Sequence, residues 1–308
     1  MDGCCYKKVG IVGAGAYGTA IAQCFSIRAE EILLVSDQKE ISEEINNKHT
    51  NKALGNIKLH SNISCTIDFS QMTDQDIIFI STPVSAVTHV CSNIKKHNIK
   101  TPIVLCSKGV DAENARLMSD CVEEIIDNEI VIFSGPSFAH EIACGLPFGV
   151  NVAGKNKLLA EEISKSLSSE VYSIKPIDDY IGLQIAGAFK NILAVGCGIM
   201  RGLKLGNSAI AQFIVDGVKE MACLAEAMGG KKETFLELGG IGDTILTCTS
   251  VQSRNVLFGE YIANGGNINL WTGSLAEGAY SAKTIPLFSK KYNIPLKTFN
   301  DIYSSIYQ

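Results

Sequence analysis

The sequence lacks the features that mark several large classes of protein. Its 308 residues carry 27 lysines and arginines against 32 aspartates and glutamates, a net charge of −5, and the basic residues form no cluster. Nucleic-acid-binding surfaces are basic, so no nucleic-acid partner is expected. No uninterrupted apolar run reaches the roughly 18 residues of a membrane span, and the start MDGCCYKKVG carries no apolar targeting segment. These absences predict a cytoplasmic protein without a membrane span.

Metal-ligand and disulfide patterns are also missing. The eleven cysteines are odd in number and scattered, with no CxxC spacing and only Cys4 and Cys5 adjacent. The five histidines are not paired at a metal-binding spacing. We therefore expect reduced thiols that mostly fill the core, and neither a disulfide framework nor a metal site.

The residues that are present favour an α/β fold in the first part of the chain. Apolar residues make up 46% and charged residues 19%, enough to build a large core. Short apolar runs alternate with helical patterns at 16–28, 86–97 and 114–127, which favours a doubly wound, mostly parallel sheet. Several runs are continuous, as in strands covered on both faces. The runs are KKVGIVG, EILLVSD, NISCTID, DIIFIST, PIVLCSKG, EIVIFSG, PFGVNVAG and VYSIKP.

Strand patterns stop near residue 179, and only helical patterns follow. Glycine-rich breaks such as MGGKK, LGGIGD and NGGN separate them. We expect an α/β domain over residues 1–180 and an all-helical domain over residues 181–308. The helical patterns cover 179–203, 208–229, 253–264, 276–292 and 297–307.

A glycine motif directly follows the first predicted strand. In GAGAYGTA, Gly13, Gly15 and Gly18 form G-x-G-x-x-G, and a helical pattern begins at once. The first glycine permits a tight turn, the second lets a pyrophosphate approach the backbone, and the third allows close helix–strand packing. The helix N-terminus then offers free N–H groups to the phosphates. This context predicts a Rossmann dinucleotide-binding unit.

Asp37 ends the second predicted strand, EILLVSD. An acid at this position holds the ribose hydroxyls of NAD and would repel the 2′-phosphate of NADP. The alternative is that Asp37 is a turn residue after a strand, and Lys39 lies close in sequence. We favour NAD(H), with NADP(H) as the alternative.

Lys190 stands in an unusually apolar stretch, LQIAGAFKNILAVGCGIM. On a helix, the small or apolar residues one turn before and after it would share its face. One interpretation is a lysine whose head reaches water along an apolar stem. The other is a desolvated amine with a lowered pKa, available for proton transfer.

Three further segments carry clustered polar residues. Lys108 in CSKG, and Gly135 and Ser137 in SGPSFAHE, each follow a predicted strand, where ligands of open α/β sheets bind. The helical half carries GGIGDTILTCTSVQSRNVLFG, with Asp243, Thr247, Ser253, Arg254 and Asn255. Each has a structural alternative, such as a helix cap for Asp243 or a surface charge for Arg254.

Taken together, these motifs make the chain resemble the bacterial-type NAD(P)-dependent glycerol-3-phosphate dehydrogenases. The resemblance runs through GAGAYGTA, STPVSAV, CSKG, GPSFAHEIACGLP, GAFKN, GIGDTILTCTSVQSRNVLFG and EGAYSAK, over nearly the whole chain. It implies a Rossmann domain with a helical domain, and interconversion of dihydroxyacetone phosphate and sn-glycerol 3-phosphate. It also implies a cytoplasmic homodimer that supplies phospholipid synthesis.

The resemblance also implies roles for individual residues. Lys190 is the expected general acid/base. The expected substrate contacts are Lys108, Gly135, Ser137, Lys190, Asp243, Ser253, Arg254 and Asn255. The expected cofactor contacts are Gly13, Gly15, Ala16, Tyr17, Gly18, Asp37, Lys108, Ala139, Arg254, Leu275 and Glu277.

Two other functions fit the same pattern. A dehydrogenase of the same domain plan could act on a hydroxy acid. A dinucleotide-binding regulatory protein without turnover would need neither a buried Lys190 nor the SRN segment, residues 253–255.

Overall fold

A computed structural model describes residues 6–308. Within them the chain divides into two compact units. The first comprises the residues up to Ser107, Ser119–Phe133 and Ser137–Tyr180, and the second comprises Lys108–Met118, Ser134–Pro136 and Ile181–Gln308. The residues Cys4 and Cys5 lie outside the described part of the chain.

Strands and helices alternate up to residue 176 and give way to helices thereafter. The strands are β1 (Lys8–Val12), β2 (Glu31–Val35), β3 (Ile63–Thr66), β4 (Ile77–Ile80), β5 (Ile103–Leu105), β6 (Val110–Asp111), β7 (Arg116–Leu117), β8 (Ile130–Ser134), β9 (Phe148–Gly154) and β10 (Tyr172–Pro176). The helices of this part are α1 (Ala16–Phe25), α2 (Lys39–Lys48), α3 (Val84–Lys96), α4 (Met118–Glu123), α5 (Ala139–Ala143) and α6 (Lys157–Leu167).

An eight-stranded, mostly parallel sheet organises the first unit. Its strand order is β10-β9-β8-β5-β4-β1-β2-β3, and the eight predicted strands supply its members. Strands β1, β4 and β8 are buried along nearly their whole length, because helices cover both faces. The chain runs outward from β1 through β2 to β3 and then returns to β4 on the other side of β1. Ligands of open α/β sheets bind at such a reversal point.

Aromatic packing seats α1 on this sheet. Phe25 lies in α1, and its ring centroid is 5.0 Å from that of Phe79 on β4. Phe133 on β8 meets Phe79 edge-on at 5.9 Å. Because all three side chains are buried, α1 and the turn before it rest on a rigid base.

The second unit is built from helices around one central helix. Helix α7 is buried over most of its length, and Phe189 lies between the rings of Phe288 and Phe299, at 5.4 and 5.2 Å. The helices are α7 (Tyr180–Gly202), α8 (Asn207–Ala227), α9 (Asp243–Thr249), α10 (Arg254–Ala263), α11 (Glu277–Ser281), α12 (Ile285–Tyr292) and α13 (Lys297–Tyr307).

Helix α7 is also long and apolar enough to cross a membrane, judged by length and composition alone. Of its most apolar part, 89% is buried inside the protein. Buried core helices commonly have this composition, so the helix is weak evidence for a span.

Two predicted helices were wrong in part. Residues 114–127 do not form one helix: β6 and β7 make an antiparallel ribbon, and only α4 is helical. Ala115 has a φ of +49°, a left-handed conformation that a helix does not accommodate. The predicted helix 276–292 is divided by a 3₁₀ turn, Ala282–Thr284, into α11 and α12.

Cysteines mostly fill the core. Of the nine that the structure describes, seven are buried, and only Cys144 and Cys223 are exposed. All nine are free thiols.

Candidate active site

The turn between β1 and α1 has the shape that a pyrophosphate requires. Gly13 has a φ of +109°, which an L side chain rarely adopts. A Cβ at Gly18 would lie 2.0 Å from the Gly13 carbonyl oxygen, so only glycine fits there. No atom beyond the chain neighbours of Gly15 lies within 4 Å of a Cβ built there, which leaves open space beside the backbone. Helix α1 begins at Ala16, and no side chain caps it. This N-terminus fits the phosphates of a dinucleotide.

Other predicted cofactor residues of the first unit lie near this turn or at the end of β2. Tyr17 in the first turn of α1 has its hydroxyl 3.1 Å from Ser137 Oγ. Ala139 begins α5, which packs against α1. Asp37 is exposed two residues after β2 ends. Nearby Lys39 pairs with Glu43 of the next helical turn at 3.4 Å.

A carboxylate joins two lysines in the second unit. Asp243 begins α9 and is 2% exposed. Its Oδ2 lies 2.7 Å from Lys108 Nζ, and its Oδ1 lies 3.3 Å from Lys190 Nζ. Lys108 Nζ also donates to the carbonyl oxygen of Gly135, at 3.0 Å. Four predicted residues from four separate parts of the sequence therefore form one cluster.

Lys190 is 4% exposed and points into this cluster rather than to water. Its Nζ donates to Thr247 Oγ1 at 2.7 Å and to Asn191 Oδ1 at 3.1 Å. The sequence analysis named Thr247 among the polar residues of its segment but gave it no role, and it did not name Asn191 as a site residue. The signals were there: Asn191 follows Lys190 directly, and Thr247 is one helical turn after Asp243, on the same face of α9.

The surroundings of Lys190 lower the pKa of its amine to about 8. Burial is the largest cause, because it penalises the charged form. Asp243 opposes the shift and Lys108 adds to it, since a carboxylate stabilises and a second cation destabilises the ammonium. A lysine with this pKa can both give and take a proton near neutral pH.

Close backbone packing explains why the residues around Lys190 have small, apolar side chains. A Cβ at Gly278 of α11 would lie 2.2 Å from the Asn191 carbonyl oxygen. On α7 itself, a Cβ at Gly187 would lie 3.0 Å from Ser134 Oγ. Neighbouring segments thus pack directly against α7, and Lys190 is buried among them.

Helix α10 brings the SRN segment, residues 253–255, to helix α7. Ser253 caps α10, with Oγ accepting from the Val256 N–H at 3.4 Å. Arg254 is the first residue of the helix and is exposed. Asn255 is buried; its Nδ2 donates to Asn191 Oδ1 at 3.1 Å, and its Oδ1 accepts from the Gly278 N–H at 3.0 Å. Ser253 and Asn255 thus already have protein partners.

The last predicted residues lie beside α11. Leu275 is 40% exposed. Glu277 begins the helix directly before Gly278, whose N–H bonds to Asn255. Among residues 6–308 no group of three or more histidines, cysteines, aspartates or glutamates is arranged to hold a metal ion.

Hydride chemistry at a carbonyl needs a bound nicotinamide and a group that exchanges a proton with the carbonyl oxygen. The glycine turn fits the first, and the buried Lys190 can provide the second. These two features place the chain in the class of nicotinamide-dependent dehydrogenases.

Comparison with known proteins makes the assignment narrower. Residues 8–160 match the family described as NAD-dependent glycerol-3-phosphate dehydrogenase N-terminus, and residues 179–308 match its C-terminus. A curated glycerol-3-phosphate dehydrogenase [NAD(P)+] from Ehrlichia ruminantium is 36% identical, covering 98% of this chain and 96% of the relative. One from Parvibaculum lavamentivorans is 34% identical, covering 94% and 89%. The chain belongs to the NAD-dependent glycerol-3-phosphate dehydrogenase family.

A solved structure agrees with this assignment. The glycerol-3-phosphate dehydrogenase from Coxiella burnetii is 30% identical, with a TM-score of 0.91, and the match covers 97% of this chain and 94% of that one. The predicted fold class, family and enzyme class are therefore confirmed.

Proposed function

We propose that this enzyme interconverts dihydroxyacetone phosphate and sn-glycerol 3-phosphate with NAD(P)(H), and that Lys190 is its general acid/base. The names of its relatives support the substrate pair. The observation that carries the proposed role of Lys190 is an amine 4% exposed, with a pKa of about 8, in contact with Asp243 and Thr247.

The proton steps follow from this geometry. In reduction the Lys190 ammonium donates a proton to the carbonyl oxygen of the substrate, and in oxidation the free amine takes the hydroxyl proton. A bound nicotinamide would supply or accept the hydride. Thr247 and Asn191 each accept a hydrogen bond from Nζ, so they fix its direction. Asp243 keeps the pKa of Lys190 from falling further.

Arg254 is the proposed phosphate ligand. It lies at the start of α10, where the helix dipole is already positive. A cation at this position is locally unfavourable unless an anion joins it. A phosphate would accept bidentate hydrogen bonds from the guanidinium and be attracted by the helix terminus. Lys108, Gly135, Ser137, Ser253 and Asn255 complete the proposed substrate set.

We propose a preference for NAD(H) over NADP(H). Asp37 is exposed just beyond β2, where it would accept hydrogen bonds from ribose hydroxyls. Lys39 is the nearby cation that would offset the negative charge of Asp37. Lys39 pairs with Glu43, which reduces its availability to a 2′-phosphate. The other proposed cofactor contacts are Gly13, Gly15, Ala16, Tyr17, Gly18, Lys108, Ala139, Arg254, Leu275 and Glu277.

The family also supports a cellular role. We propose that the enzyme is a cytoplasmic homodimer that supplies glycerol 3-phosphate for phospholipid synthesis. Light scattering after size exclusion would show a mass of twice 33.1 kDa.

The test of function is the loss of NADH absorbance when purified protein meets dihydroxyacetone phosphate. NADPH is compared at equal concentration, and a panel of 2-oxo acids tests the hydroxy-acid alternative. Turnover of dihydroxyacetone phosphate that falls about a hundredfold or more in Lys190→Ala supports the proposal. NADH binding without turnover would favour a regulatory protein, and turnover of the oxo acids alone would contradict the proposed substrate.

A further inference from the structure

Asn51 lies outside the glycine turn and forms a hydrogen bond to it. This residue lies in the loop after α2 and is fully buried, at 0% exposure. Its Nδ2 donates to the Ala14 carbonyl oxygen at 2.9 Å and to Thr19 Oγ1 at 2.8 Å. Its Oδ1 accepts from the Ala53 N–H at 3.0 Å. Both amide hydrogens and the amide oxygen are used, so the side chain has one orientation.

Ser81 holds the same turn from another side. It directly follows β4, the strand that neighbours β1 at the reversal point of the sheet. Its Oγ lies 3.0 Å from the Gly13 carbonyl oxygen and 3.2 Å from that of Val12. Its backbone N–H donates to the Val12 oxygen at 2.9 Å, which fixes its place beside the turn.

These bonds decide where the N–H groups of the turn point. In a trans peptide, the C=O and the following N–H point in opposite directions, and the described chain contains no cis peptide bond. The Ala14 oxygen is turned inward to Asn51, so the Gly15 N–H is turned outward. The Gly13 oxygen is turned toward Ser81, so the Ala14 N–H points away from it.

The turn also has open space beside it, since no atom beyond the chain neighbours of Gly15 lies within 4 Å of a Cβ built there. Outward N–H groups directly before the first turn of α1 extend its anion-binding end. If either peptide rotated, a carbonyl oxygen would replace an N–H and repel a phosphate.

We propose that Asn51 is a positioning residue for the cofactor, with Ser81 as its partner on the other side of the turn. Asn51 acts through the Ala14–Gly15 peptide and does not itself touch the dinucleotide. This inference rests on the proposed function, since it takes NAD(P)(H) as the ligand of the turn.

The test compares four single variants. Asn51→Asp removes both N–H donors and places an oxygen against the Ala14 oxygen, whereas Asn51→Ser removes them without adding a charge. Thr19→Val is the matched control, because it deletes only the second partner of the amide and leaves the bond to Ala14. Ser81→Ala releases the Gly13 oxygen. Thermal unfolding of every variant is recorded beside the kinetics.

The measured quantities are the Kd for NADH from its fluorescence and the KM values for NADH and dihydroxyacetone phosphate. We expect both Asn51 variants to raise the NADH Kd and KM about tenfold or more. Ser81→Ala should also raise the Kd and the KM for NADH. The KM for dihydroxyacetone phosphate, and kcat at saturating NADH, should stay within about twofold in every folded variant.

Two results would overturn the inference. One is an NADH Kd within about twofold of wild type in both Asn51 variants. The other is an equal rise in Thr19→Val, which would mean that buried packing and not the Ala14 bond matters. If Asn51→Asp does not fold, Asn51→Ser and Ser81→Ala decide. A wild-type protein that does not bind NADH would instead refute the proposed function.

Discussion

At the scale of single residues, Lys190 combines a cationic group with a position that is almost closed to water. Such a group is costly to bury, and the protein retains it by placing Asp243 at 3.3 Å and Thr247 at 2.7 Å. The result is an amine that is charged at pH 7 but close to its pKa of about 8. Proton donors and acceptors work best in this range.

The two directions of the reaction should therefore depend on pH in opposite ways. Reduction needs the ammonium, which is present below pH 8 and lost above it, so kcat/KM for dihydroxyacetone phosphate should fall as pH rises through about 8. Oxidation of glycerol 3-phosphate needs the free amine and should rise over the same interval. Initial rates from pH 6.5 to about 9.5 check this. Parallel profiles in the two directions would contradict the assignment.

Asp243 and Lys108 should shift, in opposite directions, the pH at which the rate of reduction falls to half. Asp243 raises the pKa of Lys190, so Asp243→Asn should shift the fall in reduction rate to lower pH. Lys108 lowers that pKa, so Lys108→Met should shift it to higher pH. Both shifts are measured from the pH dependence of the kcat/KM that each variant retains, and they do not depend on how far its rate has fallen. Shifts of the same sign would show that the three groups do not interact as the structure indicates.

Arg254→Ala should mainly weaken substrate binding. We expect the KM for dihydroxyacetone phosphate to rise about tenfold or more, because a charge-assisted bond to the phosphate is lost. The KM for NADH should change less. Arg201→Ala is the control, since Arg201 is half-buried, pairs with Glu260 at 3.2 Å and is not among the proposed site residues. Steady-state kinetics with each substrate varied would detect the difference, and an unchanged substrate KM would remove Arg254 from the phosphate site.

At the scale of helices, glycines set how closely the neighbours of α7 approach it. A Cβ at Gly198 would lie 2.1 Å from the Val256 carbonyl oxygen of α10. In return, a Cβ at Gly259 would lie 2.0 Å from the Val195 oxygen of α7. Both obstacles are backbone atoms, which cannot turn aside as a side chain can. This contact places Asn255 of α10 against Asn191.

Gly198→Ala should therefore push α10 away from α7. We expect a loss of about 2 to 3 kcal/mol of unfolding free energy, together with a raised KM for dihydroxyacetone phosphate. Gly242→Ala is the matched control, because its Cβ would meet its nearest neighbour at 3.5 Å and its φ of −59° suits alanine. Denaturant unfolding of both variants gives the comparison. Equal stabilities would mean that α10 accommodates the extra carbon.

At the scale of the whole molecule, the two units carry different parts of the chemistry. The glycine turn, Asn51 and Asp37 lie in the first unit, and Lys190 with its partners lies in the second. Each unit has its own hydrophobic core. Binding of the cofactor phosphates at the glycine turn and proton transfer at Lys190 should consequently be separable by mutation.

NADH should stabilise the protein against heat whether or not Lys190 is present. A ligand at a hundred times its Kd adds about 2.7 kcal/mol to the stability of the form that binds it. We expect Lys190→Ala to retain the wild-type shift in Tm and Asn51→Asp to lose much of it. NADPH at equal concentration should give a smaller shift because of Asp37. A larger shift with NADPH would contradict the proposed cofactor preference.

The sequence alone determined the framework of this protein. All eight strands of the main sheet and the glycine turn were predicted, because each depends on a short run of residues and its immediate flanks. Residues 114–127 and 276–292 were assigned less well. Their helical patterns continue through Ala115 and Ala282–Thr284, where the chain adopts a left-handed residue and a 3₁₀ turn.

Only the tertiary structure decided how the framework becomes a site. Lys108, Lys190 and Asp243 are far apart in sequence, and their mutual distances set the pKa on which proton transfer depends. Asn51 gives no motif signal, since its function lies in a bond to Ala14 across 37 positions of the chain. Local patterns specify backbone conformation, whereas burial and electrostatic coupling arise from residues that meet only after folding.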